Sequence, residues 1–331
     1  MSAPTISIIG AGGWGTALAT LFAERGMAVN LWSYEAVDVE GMRRDRVNTR
    51  FLPGVTLPAL INPTNSMSDC VGGDLILFVS PSKAIRAVAG QLSNLSLPPS
   101  VPILSCTKGI EHDTGLRMSE ILHACFPNNP IGALSGPNHA EEVSRKMPAA
   151  AVIGFADQTV AARMQSLFSA PYFRTYTTDD VAGVELGGAL KNIYAIAAGV
   201  SDGLGFGDNS KAALVTRSLV ELVRLGVVLG GKRETFYGLS GIGDLMVTCF
   251  SRHSRNRGVG ERLGRGETLE SITGSMAAIA EGVPTTLSAY SCARHANLDT
   301  PIIDQMHELL FRGRTPKDVL VELMSRDHRA E

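Results

Sequence analysis

The chain has 331 residues, 44% hydrophobic and 19% charged, which is globular usage and too long for one ordinary core, so two domains are expected. A formal net charge of −2 excludes a global positive field for nucleic acid or an anionic membrane. The cysteines, at 70, 106, 125, 249 and 292, form no CxxC pair, so neither a disulfide framework nor a metal site is expected, and a reducing cytoplasm fits. There is no basic, apolar leader and no segment apolar enough to span a bilayer, so no stable membrane insertion is expected.

The first half alternates short apolar runs with helical patterns, as a parallel sheet covered by helices does. Strands are predicted at Thr5 to Ile9, Ala28 to Trp32, Leu75 to Val79, Pro102 to Ser105, Ile131 to Leu134 and Ala150 to Ile153. The loops VSPS (79–82), TKG (107–109) and LSGP (134–137) end several of them, where ligands of open α/β sheets collect. Directly after the first strand, Gly10, Gly12 and Gly15 spell GxGxxG and open a helix that stops at Gly26. Such glycines serve a tight turn, close backbone approach to a pyrophosphate, and helix–strand packing, while the helix amides face the phosphates. Glu35 follows the second strand about 20 residues past Gly15, where a carboxylate meets the ribose hydroxyls of NAD. The pattern predicts a dinucleotide site; its alternative is a plain glycine turn in an α/β protein that holds no nucleotide.

After about residue 180 strand-like runs give way to helical patterns at Val181 to Gly199, Lys211 to Leu229 and Ile302 to Phe311, with a fresh start at Thr315-Pro316. This divides the chain into an α/β unit, 1–182, and an all-helical unit, 183–331. On the helix following TTDD, Val184, Gly187, Gly188, Tyr194, Ala195 and Ala198 lie within about 60° of Lys191, and Leu186, Ala189, Ile193 and Ile196 form the opposite, core-facing stripe. Two mid-helix glycines cost on the order of 1 kcal/mol each against alanine, so something needs their lack of bulk. A poorly solvated lysine on such a surface can act as acid or base near neutrality. A tight helix–helix contact with Lys191 snorkelling to water is the alternative.

With IIGAGGWGTALA, SCTKGIE, LSGPNHAEEV, ELGGALKNIYAIAAG, GLSGIGDLMVTC, SRNRGVG and AEGV in order, the chain closely resembles the NAD(P)-dependent sn-glycerol-3-phosphate dehydrogenase family, bacterial branch, from about residue 5 to residue 325. The resemblance implies a Rossmann-type doubly wound sheet followed by an all-α domain of the 6-phosphogluconate dehydrogenase-like kind, and a homodimer. It implies reversible reduction of dihydroxyacetone phosphate to sn-glycerol 3-phosphate, a phospholipid backbone source, with NAD or NADP. Lys191 then matches the general acid and base, Asp244 its carboxylate partner, and Thr248 lies one helical turn on. Lys108 matches a second lysine that contacts cofactor and substrate. Arg255 and Asn256, assisted by Ser254, match the substrate-phosphate contacts, and Arg255 a cofactor contact too. Gly136 and Asn138 match donors near the substrate. Gly13, Trp14, Ala140, Ile279 and Glu281 match further cofactor contacts.

One departure bears on the cofactor. Many bacterial relatives carry Arg where Tyr34 stands, and that Arg pairs with the 2′-phosphate of NADP. Tyr34 followed by Glu35 removes the partner and adds a repelling carboxylate, which predicts a modest NAD preference unless Arg43, Arg44, Arg46 or Arg50 folds back. Asn138 also replaces a common Ser or Thr, a mild change since each hydrogen-bonds. Two rivals stand beside this reading: a two-domain dehydrogenase of the 3-hydroxyacid type, and a non-catalytic NAD-binding sensor.

Overall fold

The computed structural model describes residues 3–276 and 278–325. Among these residues ten strands form in chain order: β1 Thr5–Ile9, β2 Ala28–Trp32, β3 Val47–Asn48, β4 Leu52–Thr56, β5 Ile61–Thr64, β6 Leu75–Phe78, β7 Ile103–Ser105, β8 Ile131–Ser135, β9 Ala149–Phe155 and β10 Phe173–Thr178. Eight of them make one sheet in the order β10-β9-β8-β7-β6-β1-β2-β5, and β3 pairs with β4 in a small hairpin. From β5 to β8 every neighbour is parallel, whereas β8 and β9 pair antiparallel. The doubly wound α/β class holds, with helices on both faces.

The sheet departs from the sequence reading in two ways. Its β9–β10 edge pair runs opposite to the rest, and β5 and β10 were not foreseen. β5 reads INPT, with a proline that only an edge strand tolerates, and β10 reads FRTYTT, which carries little apolar signal.

Apolar residues gather in three groups. Two cover the faces of the sheet, one around Ile8, Leu18, Phe22 and Phe168 and the other around Phe78, Ile85, Ile103 and Leu122. The third is built around the helix Val181–Gly203, with Ile193, Tyr194, Leu222, Phe236 and Ile303. Among the described residues no strand follows Thr178.

The helix Val181–Gly203 is buried along nearly its whole length. Asp180 caps it, accepting from the Gly183 amide at 2.9 Å and from the Lys232 amide at 2.8 Å. It packs on β8, and the helices Asp208–Val228, Asp244–Phe250, Arg255–Gly264 and Gly282–His295 surround it. Its glycines are the places of closest approach. A methyl on Gly199 would collide with the Arg257 carbonyl, and one on Gly260 with the Ile196 carbonyl. The neighbours that need the lack of bulk at Gly199 and Gly260 are therefore backbone segments of the protein itself.

The two units are also tied by polar contacts. Glu185 accepts from the Ser119 amide at 2.8 Å and from Arg117 at 3.1 Å. Ser288 donates to the Ile110 carbonyl at 3.0 Å. Gly260→Ala is expected to cost about 3 kcal/mol through overpacking, whereas Gly258→Ala, with nothing within 4 Å of the added carbon, should be neutral or stabilising by about 0.5–1 kcal/mol. Urea unfolding of both variants checks the contrast.

Candidate active site

The glycine turn sits where the strand order reverses, between β1 and β6. Gly10 has φ +125°, and a methyl there would lie 2.8 Å from the Ser80 amide nitrogen, a conformation and a space that only glycine fits. A side chain on Gly15 would collide with the Gly10 carbonyl, and one on Gly13 would lie 2.9 Å from the Phe51 carbonyl oxygen. Gly12 has nothing within 4 Å. It precedes the helix Gly13–Glu24, whose first turn no side chain caps, so those amides are open to an anion. Trp14 packs beside Phe173 with ring centroids 6.3 Å apart, and its Nε1 is buried without a hydrogen-bond partner among the described residues. This cradle, with free amides and an open Gly12, fits a dinucleotide pyrophosphate.

The hairpin braces the turn from outside. Asn48 donates to the Ala11 carbonyl and to Thr16 Oγ1, each at 2.8 Å, and accepts from the Phe51 amide at 3.2 Å. Beyond β2, Tyr34 is 74% exposed and meets Trp32 edge-on at 6.4 Å. Exposed Glu35 begins the helix Ala36–Asp45. Each of the four following arginines is engaged elsewhere. Arg43 donates to the Pro63 carbonyl at 2.8 Å, Arg46 to the carbonyls of Leu57, Pro58 and Ile61, Arg44 pairs with Asp45, and Arg50 with Asp38 at 3.2 Å.

The second group of residues centres on Asp244. A π-helical turn, Leu239–Gly243, leads directly into the helix Asp244–Phe250. Gly187 lets that turn press on the lysine helix, since a methyl there would strike the Ser240 carbonyl. Asp244 is 1% exposed and Lys191 5%, so Lys191 does not snorkel. Its ammonium donates to Asp244 Oδ1 and to Thr248 Oγ1, the latter at 2.6 Å. Lys108 Nζ donates to Asp244 Oδ2 at 2.6 Å and to the Gly136 carbonyl at 3.3 Å, and Ser135 adds a bond to Oδ2 at 3.2 Å. One buried carboxylate thus holds two ammonium groups.

Burial is the main cause that lowers Lys191 to about 7; Asp244 opposes it and the charge of Lys108 adds to it. Burial pushes the Asp244 carboxyl upward, but Lys108 and Lys191 together outweigh it and hold the group below the usual carboxylate range.

A third group lies at the start of the helix Arg255–Gly264. Ser254 accepts from the Arg257 amide at 3.2 Å as its cap. Asn256 donates to Asn192 at 2.9 Å and accepts from the Gly282 amide at 2.8 Å. These bonds pin the arginine segment beside Lys191. Arg255 is exposed and makes no hydrogen bond among the described residues, next to a cavity of about 240 Å³ lined also by Arg252, His253 and Ser254. Glu281 accepts from the Ser82 amide at 3.0 Å and from its hydroxyl at 2.6 Å, joining the helical unit to the loop after β6. Ile279 lies half-buried close by. A larger cavity, about 610 Å³ and lined by Asp113, Cys292 and His295, lies apart from these groups.

In the loop after β8, Gly136 has φ +138°, Asn138 is buried with its Nδ2 unpartnered among the described residues, and Ala140 approaches Gly13. Four neighbours escaped the sequence reading: Ser82, Ser135, His139 and Asn192. Ser82 and Ser135 lie in loops that the strand ends mark as ligand-collecting, and Asn192 is adjacent to Lys191, whereas His139 carries no positional signal of its own. Asp244→Ala leaves the buried Lys191 ammonium and the half-buried Lys108 ammonium without their anion and should cost about 3–5 kcal/mol; combining it with Lys191→Met should recover part of that, as a double-mutant cycle by urea unfolding would measure.

Family models described as the N-terminus and the C-terminus of NAD-dependent glycerol-3-phosphate dehydrogenase match residues 5–161 and 180–321. The chain is 48% identical over 330 residues to the NAD(P)+ glycerol-3-phosphate dehydrogenases of Geobacter sulfurreducens and Geobacter metallireducens, covering 98% of each chain. It superposes on the crystal structure of glycerol-3-phosphate dehydrogenase from Coxiella burnetii with TM-score 0.95 at 36% identity, covering 98% of this chain and 99% of that one. Neither the 3-hydroxyacid-type reading nor the sensor reading is favoured by these likenesses. The chain belongs to the NAD-dependent glycerol-3-phosphate dehydrogenase family, and it is an enzyme that uses NAD or NADP.

Proposed function

We propose that the chain interconverts dihydroxyacetone phosphate and sn-glycerol 3-phosphate, with residues 1–182 holding the cofactor and 183–331 supplying most of the substrate contacts. The observation that carries the reading is the buried Asp244 carboxylate bonded to Lys191 and Lys108 together. The pyrophosphate would rest on the amides after Gly12, with Gly10, Gly13 and Gly15 shaping the turn and Trp14, Ala140, Ile279 and Glu281 around the cofactor. Bound nicotinamide supplies the hydride in reduction and accepts it in oxidation.

In reduction, Lys191 Nζ gives its proton to the carbonyl oxygen of the substrate as that oxygen gains charge. Asp244 orients the ammonium, and Thr248 fixes it from the side. Lys108 stabilises the oxygen with its own positive charge. Arg255 grips the phosphate through its guanidinium fork, and the start of the helix that Ser254 caps, at Asn256, offers amides to the same group. Gly136 and Asn138 line the substrate from the loop after β8. Closure of the units over substrate would expel water and strengthen these charges.

The helical unit would provide a homodimer surface, and the cytoplasm is the inferred location. Among the described residues no helix is long and apolar enough to cross a membrane. The product would serve glycerophospholipid synthesis.

Oxidation of NADH by the purified protein with dihydroxyacetone phosphate, and not with small 3-oxo acids, tests the reading; the reverse outcome overturns it. Lys191→Met should lower turnover by about 10²–10⁴-fold and leave cofactor binding nearly intact. The required acid is the ammonium form, present below about 7, so reduction should slow as pH rises through that value while oxidation, which needs the free amine, speeds up. Exposed Tyr34 and Glu35, with Arg43, Arg44, Arg46 and Arg50 all engaged, favour NAD. A higher kcat/KM for NADH than for NADPH is expected, and a tenfold NADPH advantage would refute it.

A further inference from the structure

The segment Ser135–Ala140 runs from the lysine cluster to the glycine turn. Its Ser135 hydroxyl touches Asp244, the Gly136 carbonyl accepts from Lys108 at 3.3 Å, and Ala140 lies 3.8 Å from where a methyl on Gly13 would stand. Between those two anchors come Asn138 and His139. Each carries a buried nitrogen with no hydrogen-bond partner among the described residues, Nδ2 of Asn138 and Nε2 of His139. Buried polar atoms are ordinarily satisfied, so two neighbouring orphans on one loop point to something that binds there. The His139 ring meets His253, with centroids 6.1 Å apart, in the segment that leads to Arg255.

We propose that His139 is a specificity-determining residue whose Nε2 hydrogen-bonds the free hydroxyl on the carbon next to the reacting carbonyl of the substrate. This rests on the triose-phosphate reading above. With the carbonyl oxygen at Lys191 and the phosphate at Arg255, the remaining end of a three-carbon ketone falls to the loop between the lysines and the glycine turn. A hydroxyl both donates and accepts, so it satisfies a neutral imidazole in either tautomer. Neutrality is secured by the surroundings: burial, then the charges of Lys191 and Lys108, push His139 down to about 4, with Asp244 and Glu141 opposing weakly. A charged imidazole would add a third cation beside the lysine pair, and the site disfavours it.

A site built to bond a hydroxyl discriminates strongly against a substrate without one, because its polar group is then left unpaired. The comparison is dihydroxyacetone phosphate against hydroxyacetone phosphate, which keeps the ketone and phosphate but has a methyl in place of the free hydroxymethyl. His139→Phe keeps a planar ring and removes the nitrogen. It should lower kcat/KM for dihydroxyacetone phosphate by about 10- to 100-fold while changing that for hydroxyacetone phosphate less than threefold or so. His139→Gln, which restores a hydrogen-bonding group, should regain much of the preference. NADH affinity, read by fluorescence titration, should stay within about twofold in both variants. Equal losses on the two ketones, an unchanged preference, or weakened NADH binding would each overturn the role given to His139. Wild-type enzyme that reduces dihydroxyacetone phosphate but shows no preference over the deoxy analogue overturns this inference alone; wild-type enzyme inactive on both overturns the triose-phosphate reading with it.

Discussion

One carboxylate cannot neutralise two ammonium groups, and the site is organised around that imbalance. Asp244 bonds Lys191 and Lys108 in a pocket from which water is nearly excluded. Removing Asp244 from the scheme would leave the buried Lys191 ammonium facing the half-buried Lys108 with no anion between them, which burial makes costly. Keeping it leaves a surplus of one positive charge. That surplus is what an oxygen gaining negative charge needs; burial is the main reason that Lys191 lies near 7 despite its ion pair, and the surplus adds to it. Desolvation and the second lysine outweigh the attraction of the carboxylate.

Holding three charged groups together without water demands close backbone contact, and glycine supplies it. Gly187 admits the π-helical turn that delivers Asp244, and Gly188 leaves room for Ser135 and the stem of Lys108. Further along the same helix Gly199, and opposite it Gly260 of the arginine-bearing helix, let the two helices lie almost backbone to backbone. The intrinsic helix cost of these glycines is offset by the packing and by bonds such as that between Asn192 and Asn256. The same economy of bulk operates in the glycine turn, where Gly10 and Gly15 are packed tight while Gly12 stays open. The crevice between the units is spanned by Glu281 on Ser82 and by Glu185 on Ser119, so the charged cluster and the turn keep a defined relation.

Much of this was legible in local pattern. Strands β1 and β2 and the Gly10 turn follow from β-branched runs and fixed glycine spacing, which encode short-range geometry. The all-helical second half, the small-residue stripe around Lys191 and the cap at Thr315 are equally local. The resemblance to a known family then put Asp244, Lys108 and Arg255 in one place, although nothing in their spacing along the chain requires it.

What only the tertiary structure decided is which partners meet. Lys108 and Asp244 are 136 positions apart, and no periodicity connects them. The stripe around Lys191 fits either an acid–base surface or a tight helix–helix contact with the amine in water, and packing resolves it into a buried face that touches a π-helical turn. Asn48 and Phe51 brace the glycine turn from a hairpin with almost no strand signal. The edge strands β5 and β10 gain their hydrogen bonds from neighbours, so their own residues need not advertise them. The unpartnered nitrogens of Asn138 and His139 could be seen only once every possible donor and acceptor around them had a position. Local pattern determines which element forms, because helix and strand repeat within a few residues; burial, charge balance and orphaned polar atoms are properties of the assembled neighbourhood.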